Sequence, residues 1–402
     1  MKVLVFTSLY PNNIWPNHGV FVKERMTHFA QLNGREVKVI APVPYYPPIS
    51  FGSRQSYSRV LRREMRDGLE VHHPRYFMTP KIGMTLYGFL MFLSVLPNMR
   101  RVRKAYNFDL IDAHYVYPDG YAGVLLGRYF GRPVVVSARG SDINLYANFP
   151  VIRRFLRYTL EKADRVIAVC TALKEAIVKL NVPDGKVLVI PNGVDGNKFH
   201  PFPKEEARRK LGIPGDKRVI LSVGGLIPRK GFDLLIKALS ILLKQARESN
   251  LHLVIVGDGE SRPELEQLVS SHSLNDHVVF AGSVPHQDLF LWYSAADLFC
   301  LASSREGWPN VLLEALACGT PVIATNVWGA PEIIPSEDIG LLTERDETAI
   351  AAKISLALNR SWVSGALVEY ARRHTWDRTA LSVHEAFESV LDTSRIARQS
   401  TP

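Results

Sequence analysis

EGWPNVLLEALACGTPV, residues 306–322, carries two glutamates, Glu306 and Glu314, with seven residues between them. Trp308-Pro309-Asn310 follows soon after the first, and a Gly-Thr-Pro turn follows the second. Proline suits the first helical position, because the N–H it lacks has no intrahelical partner there. Pro309 therefore marks the start of a helix through Val311, Leu312, Ala315 and Leu316, which Gly319 ends. Glu306 then lies in the loop ahead of this helix, and Glu314 lies about one turn into it. The helix start offers the N–H groups of Asn310, Val311 and Leu312 to an anion. A carboxylate beside an anion-binding helix start makes sense if each serves a different part of one ligand. A sugar joined through a diphosphate to a nucleoside has that form, with hydroxyls at both ends and phosphates in the middle.

Outward from this stretch, short apolar runs alternate with helical patterns. The first series is Val3–Thr7, Val37–Ala41, Leu69–His72, Leu110–His114, Val134–Ser137, Val166–Val169 and Val187–Ile190. The second is Val219–Val223, Leu253–Val256, Val278–Ala281, Leu298–Leu301 and Val322–Ala324. Runs rich in Val and Ile, bounded by Gly and Pro, read as buried parallel strands joined by crossover helices. Two series predict two doubly wound α/β domains, with ligands at the carboxyl ends of the strands. A chain of 402 residues is long enough for two cores. The turn-rich stretch PNGVDGNKFHPFP, from Pro191, marks the linker. The expected boundaries are 1–195, 196–375 and a C-terminal helix over 376–402, where Val383, Phe387, Val390 and Leu391 recur at helical spacing.

The quoted stretch closely resembles the donor-site signature of retaining, GT-B-fold glycosyltransferases of the glycogen-synthase-like group 1 family (family 4). The likeness continues into ATNVWGAPEII, with Ala330 where a second Gly is common, and spans most of the chain. It is dense from Val219 to Glu332 and thinner from Pro42 to Asn107. The resemblance implies two Rossmann-like domains facing across a cleft. The first would bind the acceptor, the second the nucleotide sugar, and the last helix would return to the first domain.

Several loops gain meaning from this resemblance. Arg229-Lys230 follows a strand and a Gly-Gly turn, where Arg can clamp phosphate oxygens and Lys supplies a point charge. Alone, the pair also fits a solvated βα loop; the family places its diphosphate-holding Arg and Lys here. Glycine at position 19 can bring backbone close to a phosphate, and here His18-Gly19 stands where many relatives have Gly-Gly. The resemblance assigns the donor sugar to Glu306, Gly307, Trp308 and Pro309, and the ribose to Glu314. Val284 would meet the base through its backbone, although its segment also reads as an ordinary loop. His114, at the end of a strand, matches the active-site histidine that orients or stabilises the transferring sugar, including through its backbone carbonyl. Arg139 and Asp142 would face the cleft and touch acceptor or donor sugar; Asp142 also fits a helix cap. Gly257-x-Gly259 lacks the third glycine of a dinucleotide fingerprint and reads as a tight turn near the nucleoside.

Composition narrows the rest. Hydrophobic content of 47% with 22% charged residues is ordinary for a globular protein. Cys170, Cys300 and Cys318 stand far apart in apolar strings, as buried thiols of a reducing compartment without metal-ligand spacing. The N-terminus reads as a first strand and not a signal peptide, so a cytoplasmic place is expected. Net charge is +10, which suits phosphorylated substrates or an anionic membrane surface. No nucleic-acid-binding motif appears. The segment Ile82–Lys104 joins an apolar run, broken by Pro97, to Arg100, Arg101, Arg103 and Lys104. It fits a crossover helix with a basic end, or an amphipathic face resting on the inner surface of an anionic membrane.

The expected activity is transfer of a sugar from a nucleotide-diphosphate sugar to a saccharide or lipid-linked saccharide, with retention, for an envelope or capsular polysaccharide or a glycolipid. No Asp-x-Asp occurs, so no metal or other cofactor is expected. A nucleotide-sugar epimerase of the same architecture and a non-catalytic nucleotide-sugar-binding subunit are the alternatives. The set Arg229, Lys230, Glu306 and Glu314 argues against the second, and the incomplete glycine fingerprint argues against a dehydrogenase.

Overall fold

The computed structural model describes residues 1–45, 52–78, 83–246 and 250–399. The chain forms two compact units. One is Met1–Asn192 together with the chain from Trp376 onward, and the other is Gly193–Thr375.

The first unit holds β1 (Lys2–Phe6), β2 (Glu36–Ile40), β3 (Val43–Pro44), β4 (Arg63–Arg66), β5 (Leu69–His72), β6 (Arg75–Tyr76), β7 (Leu110–His114), β8 (Val134–Ala138), β9 (Arg165–Ala168) and β10 (Val187–Val189). Eight of them make one sheet in the order β10-β9-β8-β7-β1-β2-β5-β4. All its neighbours are parallel except β4 and β5. Strands β7 and β8 are buried at every residue, as expected where helices cover both faces. The edge strand β4, Arg-Glu-Met-Arg, was not anticipated. Charges guard such an edge against further pairing, and they also hide it from a search for apolar runs.

The second unit holds β11 (Arg218–Val223), β12 (Leu251–Val256), β13 (Val278–Gly282), β14 (Leu298–Leu301), β15 (Val322–Thr325) and β16 (Gly340–Thr343). Its sheet is parallel throughout, in the order β13-β12-β11-β14-β15-β16. This is the doubly wound order in which ligands sit where the strand sequence reverses. That switch point lies between β11 and β14. Strand β16, Gly-Leu-Leu-Thr, begins on glycine and holds no Val or Ile, and was not anticipated.

The division falls after Asn192, not after Asp195. The Val194 N–H donates to the His374 carbonyl at 2.8 Å, and Val194 bridges to Thr375. These contacts tie the linker's last residues to the second unit. From Trp376 to Gln399 the chain is one helix. Its Ala380, Val383, Phe387 and Val390 are buried with Val3, Val5, Met26 and Phe29 of the first unit, whereas Leu391 is only partly buried. Phe387 meets Phe29 edge-on, with centroids 5.3 Å apart. Truncating Phe387 to Ala would cost about 3–5 kcal/mol.

Candidate active site

In the second unit, the loops after β11 and β14 meet at the switch point. The Ser304 N–H donates to the Arg229 carbonyl at 2.9 Å. Gly231 lets them approach: its φ is +70°, and a Cβ there would stand 2.2 Å from the Ala302 carbonyl oxygen. The approach joins three charges. Lys230 Nζ donates to Glu306 Oε1 at 2.6 Å, and Arg229 Nη1 lies 3.3 Å from Glu306 Oε2. Ser303 Oγ also donates to Glu306 Oε1 at 2.7 Å, and Arg229 Nη1 donates to the Arg305 carbonyl at 2.8 Å. Burial alone would raise the Glu306 carboxyl. Lys230 and Arg229, with hydrogen bonds from Lys230 and Ser303, hold it below the usual carboxylate range. The Lys230 side chain remains 15% exposed and that of Arg229 29%, so both cations keep surface for a ligand.

The helix beyond this cluster runs Asn310–Ala317, with Pro309 as its N-cap at φ −78°, ψ 88°. Pro309 is thus one position ahead of the first helical residue expected for it, since its ψ is not helical. The first turn closes on Pro309: the Leu312 N–H donates to its carbonyl at 3.0 Å. Leu312 is therefore withdrawn from the expected anion-binding set. Gly307 and Pro309 are buried. Trp308 is partly buried and packs on the core, and its indole N–H meets no hydrogen-bond partner among the described residues.

Glu314 is buried one turn further on. It accepts from His286 Nε2 at 3.0 Å on Oε1 and from Tyr293 Oη at 2.9 Å on Oε2. Burial and the Glu314 charge keep the Tyr293 hydroxyl protonated well beyond its ordinary range. Val284, in the loop after β13, is partly buried against the same core as Trp308.

The first unit has its own polar cluster at the carboxyl ends of β7 and β8. His114 is fully buried. Arg139 Nη2 donates to His114 Nδ1 at 2.5 Å, which leaves Nε2–H to donate to Asp112 Oδ2 at 2.9 Å. Burial pushes the imidazole down to about 4; Asp112 opposes the shift and Arg139 adds to it. The ring is therefore neutral near pH 7, with both nitrogens engaged. Its side chain fixes its neighbours and has no free face for a sugar. Beneath it lies Arg25, 1% exposed, which donates from Nη1 to Ser137 Oγ at 2.9 Å and stands 3.6 Å from Asp112. Burial and Arg25 push the Arg139 guanidinium down to about 9, still charged near neutrality. Arg139 is half-buried and also reaches Asn192 Oδ1 at 2.9 Å.

Asp142 is fully buried and takes N–H donors from Val116, Arg139 and Gly140 at 2.8–3.2 Å. This carboxylate staples its own loop, so the structure gives it to the backbone and not to an acceptor. Gly19 is buried at φ +68°, where a Cβ would stand 2.3 Å from the Leu9 carbonyl oxygen. Close packing within its own loop is thus one reason for glycine there. A further buried acid, Asp119, receives the N–H and hydroxyl of Ser8 and links the loops after β7 and β1.

Sequence reasoning missed Ser303, His286, Tyr293, Asp112, Arg25, Asn192 and Asp119. Asp112 was legible: alternate residues of a strand share a face, so Asp-x-His pairs the two. Ser303 stands on the same loop as Glu306. His286 and Tyr293 approach Glu314 only through tertiary packing.

Known proteins share this layout. Residues 203–374 match the family model "Glycosyl transferases group 1", and residues 19–198 match "Glycosyltransferase Family 4". The chain is 32% identical to the putative teichuronic acid biosynthesis glycosyltransferase TuaC of Bacillus subtilis (strain 168), over 88% of each chain. Among solved structures, sucrose-phosphate synthase of Thermosynechococcus elongatus superposes with a TM-score of 0.79 at 22% identity, covering 98% of this chain and 99% of that one. Anabaena Alr3699/HepE in complex with UDP-glucose superposes with a TM-score of 0.72 at 22% identity, covering 97% and 100%. These likenesses share the GT-B fold of two Rossmann-like domains.

Proposed function

The chain belongs to the group 1 glycosyltransferases, and we propose that it moves a sugar from a nucleotide-diphosphate sugar to a hydroxyl acceptor with retention of configuration. The observation that carries the donor half is the meeting of Arg229, Lys230 and Glu306 at the switch point of a doubly wound sheet. Two cations around one buried carboxylate can exchange that partner for a diphosphate. The charge that develops on the leaving diphosphate would then meet Arg229, Lys230 and the helix start at Asn310 and Val311, already oriented before reaction. Released from the cations, Glu306 would accept hydroxyls of the donor sugar, with Trp308 beside it. Glu314, held by His286 and Tyr293, has lone pairs left for the ribose.

Retention fits a front-face displacement, in which the acceptor hydroxyl attacks on the side the diphosphate leaves and passes its proton to a leaving phosphate oxygen. No protein nucleophile is needed. In the first unit, the acceptor would lie at the carboxyl ends of β7 and β8. His114 would act there as a positioning residue, and the half-buried Arg139 as the outermost member of its cluster. The protein cations take the part of a metal. The Bacillus relative's name supports a cell-envelope polymer, and the Anabaena complex supports a uridine nucleotide as the first probe. A cytoplasmic protein working at the membrane face on a lipid-linked saccharide fits this reading. Among the described residues, no helix is long and apolar enough to cross a membrane.

Incubating the protein with a panel of nucleotide sugars and saccharide acceptors tests the proposal. The expected product keeps the donor's anomeric configuration in its proton coupling constant. Inversion would overturn the mechanism, and an epimerised sugar formed from donor alone would overturn the reaction.

A further inference from the structure

The helices Tyr87–Ala105, Tyr121–Phe130 and Pro150–Lys162 lead into the adjacent parallel strands β7, β8 and β9. They pack side by side on one face of the first unit's sheet. Exposed Arg–Tyr rungs join them: Arg100 Nε donates to Tyr129 Oη at 2.9 Å, and Arg128 Nη1 donates to Tyr158 Oη at 2.6 Å. The outer surface has an unusual composition. Residues 83–105 and 121–132 contain no Asp or Glu, and the third helix carries one, the exposed Glu161 of its last turn, which pairs with Lys162 at 2.7 Å. Exposed Arg100, Arg101 and Lys104 stand near the end of the first helix, and Arg153, Arg154 and Arg157 along the third.

Apolar side chains share that surface. Leu86 is 54% exposed, Phe89 47% and Leu93 48%, with Phe149 44% and Val151 50%. Leu86, Phe89 and Leu93 recur on the outer face while Met91, Val95, Met99 and Val102 fill the inner one. The helix is thus a crossover helix within and apolar without; Ile82, at the start of the segment noted in the sequence, lies outside the described residues. Each of the three helices ends at the amino end of its strand. The exposed apolar residues lie at or near the helix starts, hence toward the carboxyl edge of the sheet, where His114 and Arg139 also lie. A solvated crossover helix ordinarily shows mixed charges outside. Exposed apolar side chains set among cations mark a binding surface, and their chemistry complements an anionic bilayer.

We propose that this three-helix face docks on an anionic membrane, with Leu86, Phe89, Leu93, Phe149 and Val151 entering the headgroup boundary and the arginines holding lipid phosphates. Apolar groups at an interface penetrate roughly 5–10 Å. The carboxyl edge of the sheet is then the edge nearest the lipid. An acceptor sugar on a lipid carrier would reach that edge without leaving the bilayer; this last consequence rests on the proposed function, while the docking does not.

Vesicle co-sedimentation tests the docking without any sugar nucleotide, so failure of glycosyl transfer leaves the readout intact. The probes are vesicles of phosphatidylcholine alone and of phosphatidylcholine mixed with phosphatidylglycerol. The full chain should bind the second and not the first, and release with salt. Arg153→Glu/Arg154→Glu/Arg157→Glu should lower binding roughly a hundredfold or more. Phe89→Ser/Leu93→Ser should lower it at unchanged charge. The control Arg209→Glu/Arg372→Glu/Arg373→Glu, exposed in the second unit, makes the same charge change elsewhere and should retain binding. Circular dichroism and thermal stabilisation by UDP confirm that each variant is folded. Equal binding of both vesicle types, no binding at low salt, or equal loss in the control and the arginine variant would overturn the proposal.

Discussion

Glu306→Gln isolates the exchange on which the proposed donor site depends. The carboxylate neutralises Lys230 at 2.6 Å and Arg229 at 3.3 Å, and it is only 8% exposed. Gln keeps the shape, removes the charge and puts an amide group near one of the cations. A hydrogen bond between charged groups is worth about 1.5–3 kcal/mol. The upper range for a broken buried pair, about 3–5 kcal/mol, does not apply, because both cations retain solvent contact. A loss of about 1.5–3 kcal/mol lowers the melting temperature of a unit this size by roughly 3–12 °C.

A diphosphate reverses the sign of the effect. It supplies the cations with a new anion, so the variant recovers on binding what it lost on folding. UDP should therefore raise the melting temperature of Glu306→Gln more than that of the wild type, and calorimetry should show equal or tighter UDP binding. Turnover should fall, because the amide cannot match the carboxylate's two acceptor oxygens at the donor sugar. Scanning fluorimetry with and without UDP, titration calorimetry and initial rates at saturating donor measure the three quantities. UDP affinity reduced tenfold or more in a folded variant would refute the exchange, since Glu306 would then support the diphosphate rather than compete with it. An unchanged rate at saturating donor would remove Glu306 from the reaction.

Arg229→Ala/Lys230→Ala should weaken UDP binding by about 3–6 kcal/mol at most, from two charge-assisted contacts; unchanged affinity by calorimetry would place the diphosphate elsewhere. Transfer should survive EDTA, and a complete loss restored by Mg²⁺ or Mn²⁺ would show that Arg229 and Lys230 do not suffice. Asp119 is pushed up to about 7, chiefly by burial, with the Ser8 hydrogen bonds opposing the shift. Between its ordinary range near 4 and pH 7 the folded state binds the extra proton, so this group's contribution to stability falls as pH rises. Asp119→Asn should abolish that slope, and its stability relative to wild type should rise by about 3 kcal/mol from pH 4 to 7; a pH-independent difference in denaturant titrations would refute the assignment.

The parallel strands were legible because burial on both faces demands continuous apolar runs. Leu110–His114 and Leu298–Leu301 agree residue for residue with β7 and β14. The edge strand β4 and the short strand β16 were not, since one carries charges and the other begins on glycine. The meeting of the residues assigned to the donor was legible for a related reason. Arg229, Lys230 and Glu306 end or follow strands next to glycine turns, and the doubly wound order then fixes their meeting. What remained hidden was occupancy. Nothing in the stretch around Pro309 says that the Leu312 N–H would close on its carbonyl, or that His286 and Tyr293 would take one site on each oxygen of Glu314.

The same limit separates the polar clusters of the two units. Arg229, Lys230 and Glu306 satisfy one another yet keep exposed surface, so a ligand can compete for them. His114, Asp112 and Arg25 satisfy one another below the surface, with the imidazole neutral and both ring nitrogens engaged. A buried charged network of this kind is costly to break and poorly placed to trade partners. It sets the position of the β7 and β8 loop ends, and its outermost member, Arg139, is what an incoming group would meet. Substitutions of the donor trio should therefore register first in binding and turnover, and substitutions of Asp112 or Arg25 first in folding. His114 at the end of β7 therefore holds the loop ends in place, with its imidazole turned to Asp112 and Arg139 rather than to solvent.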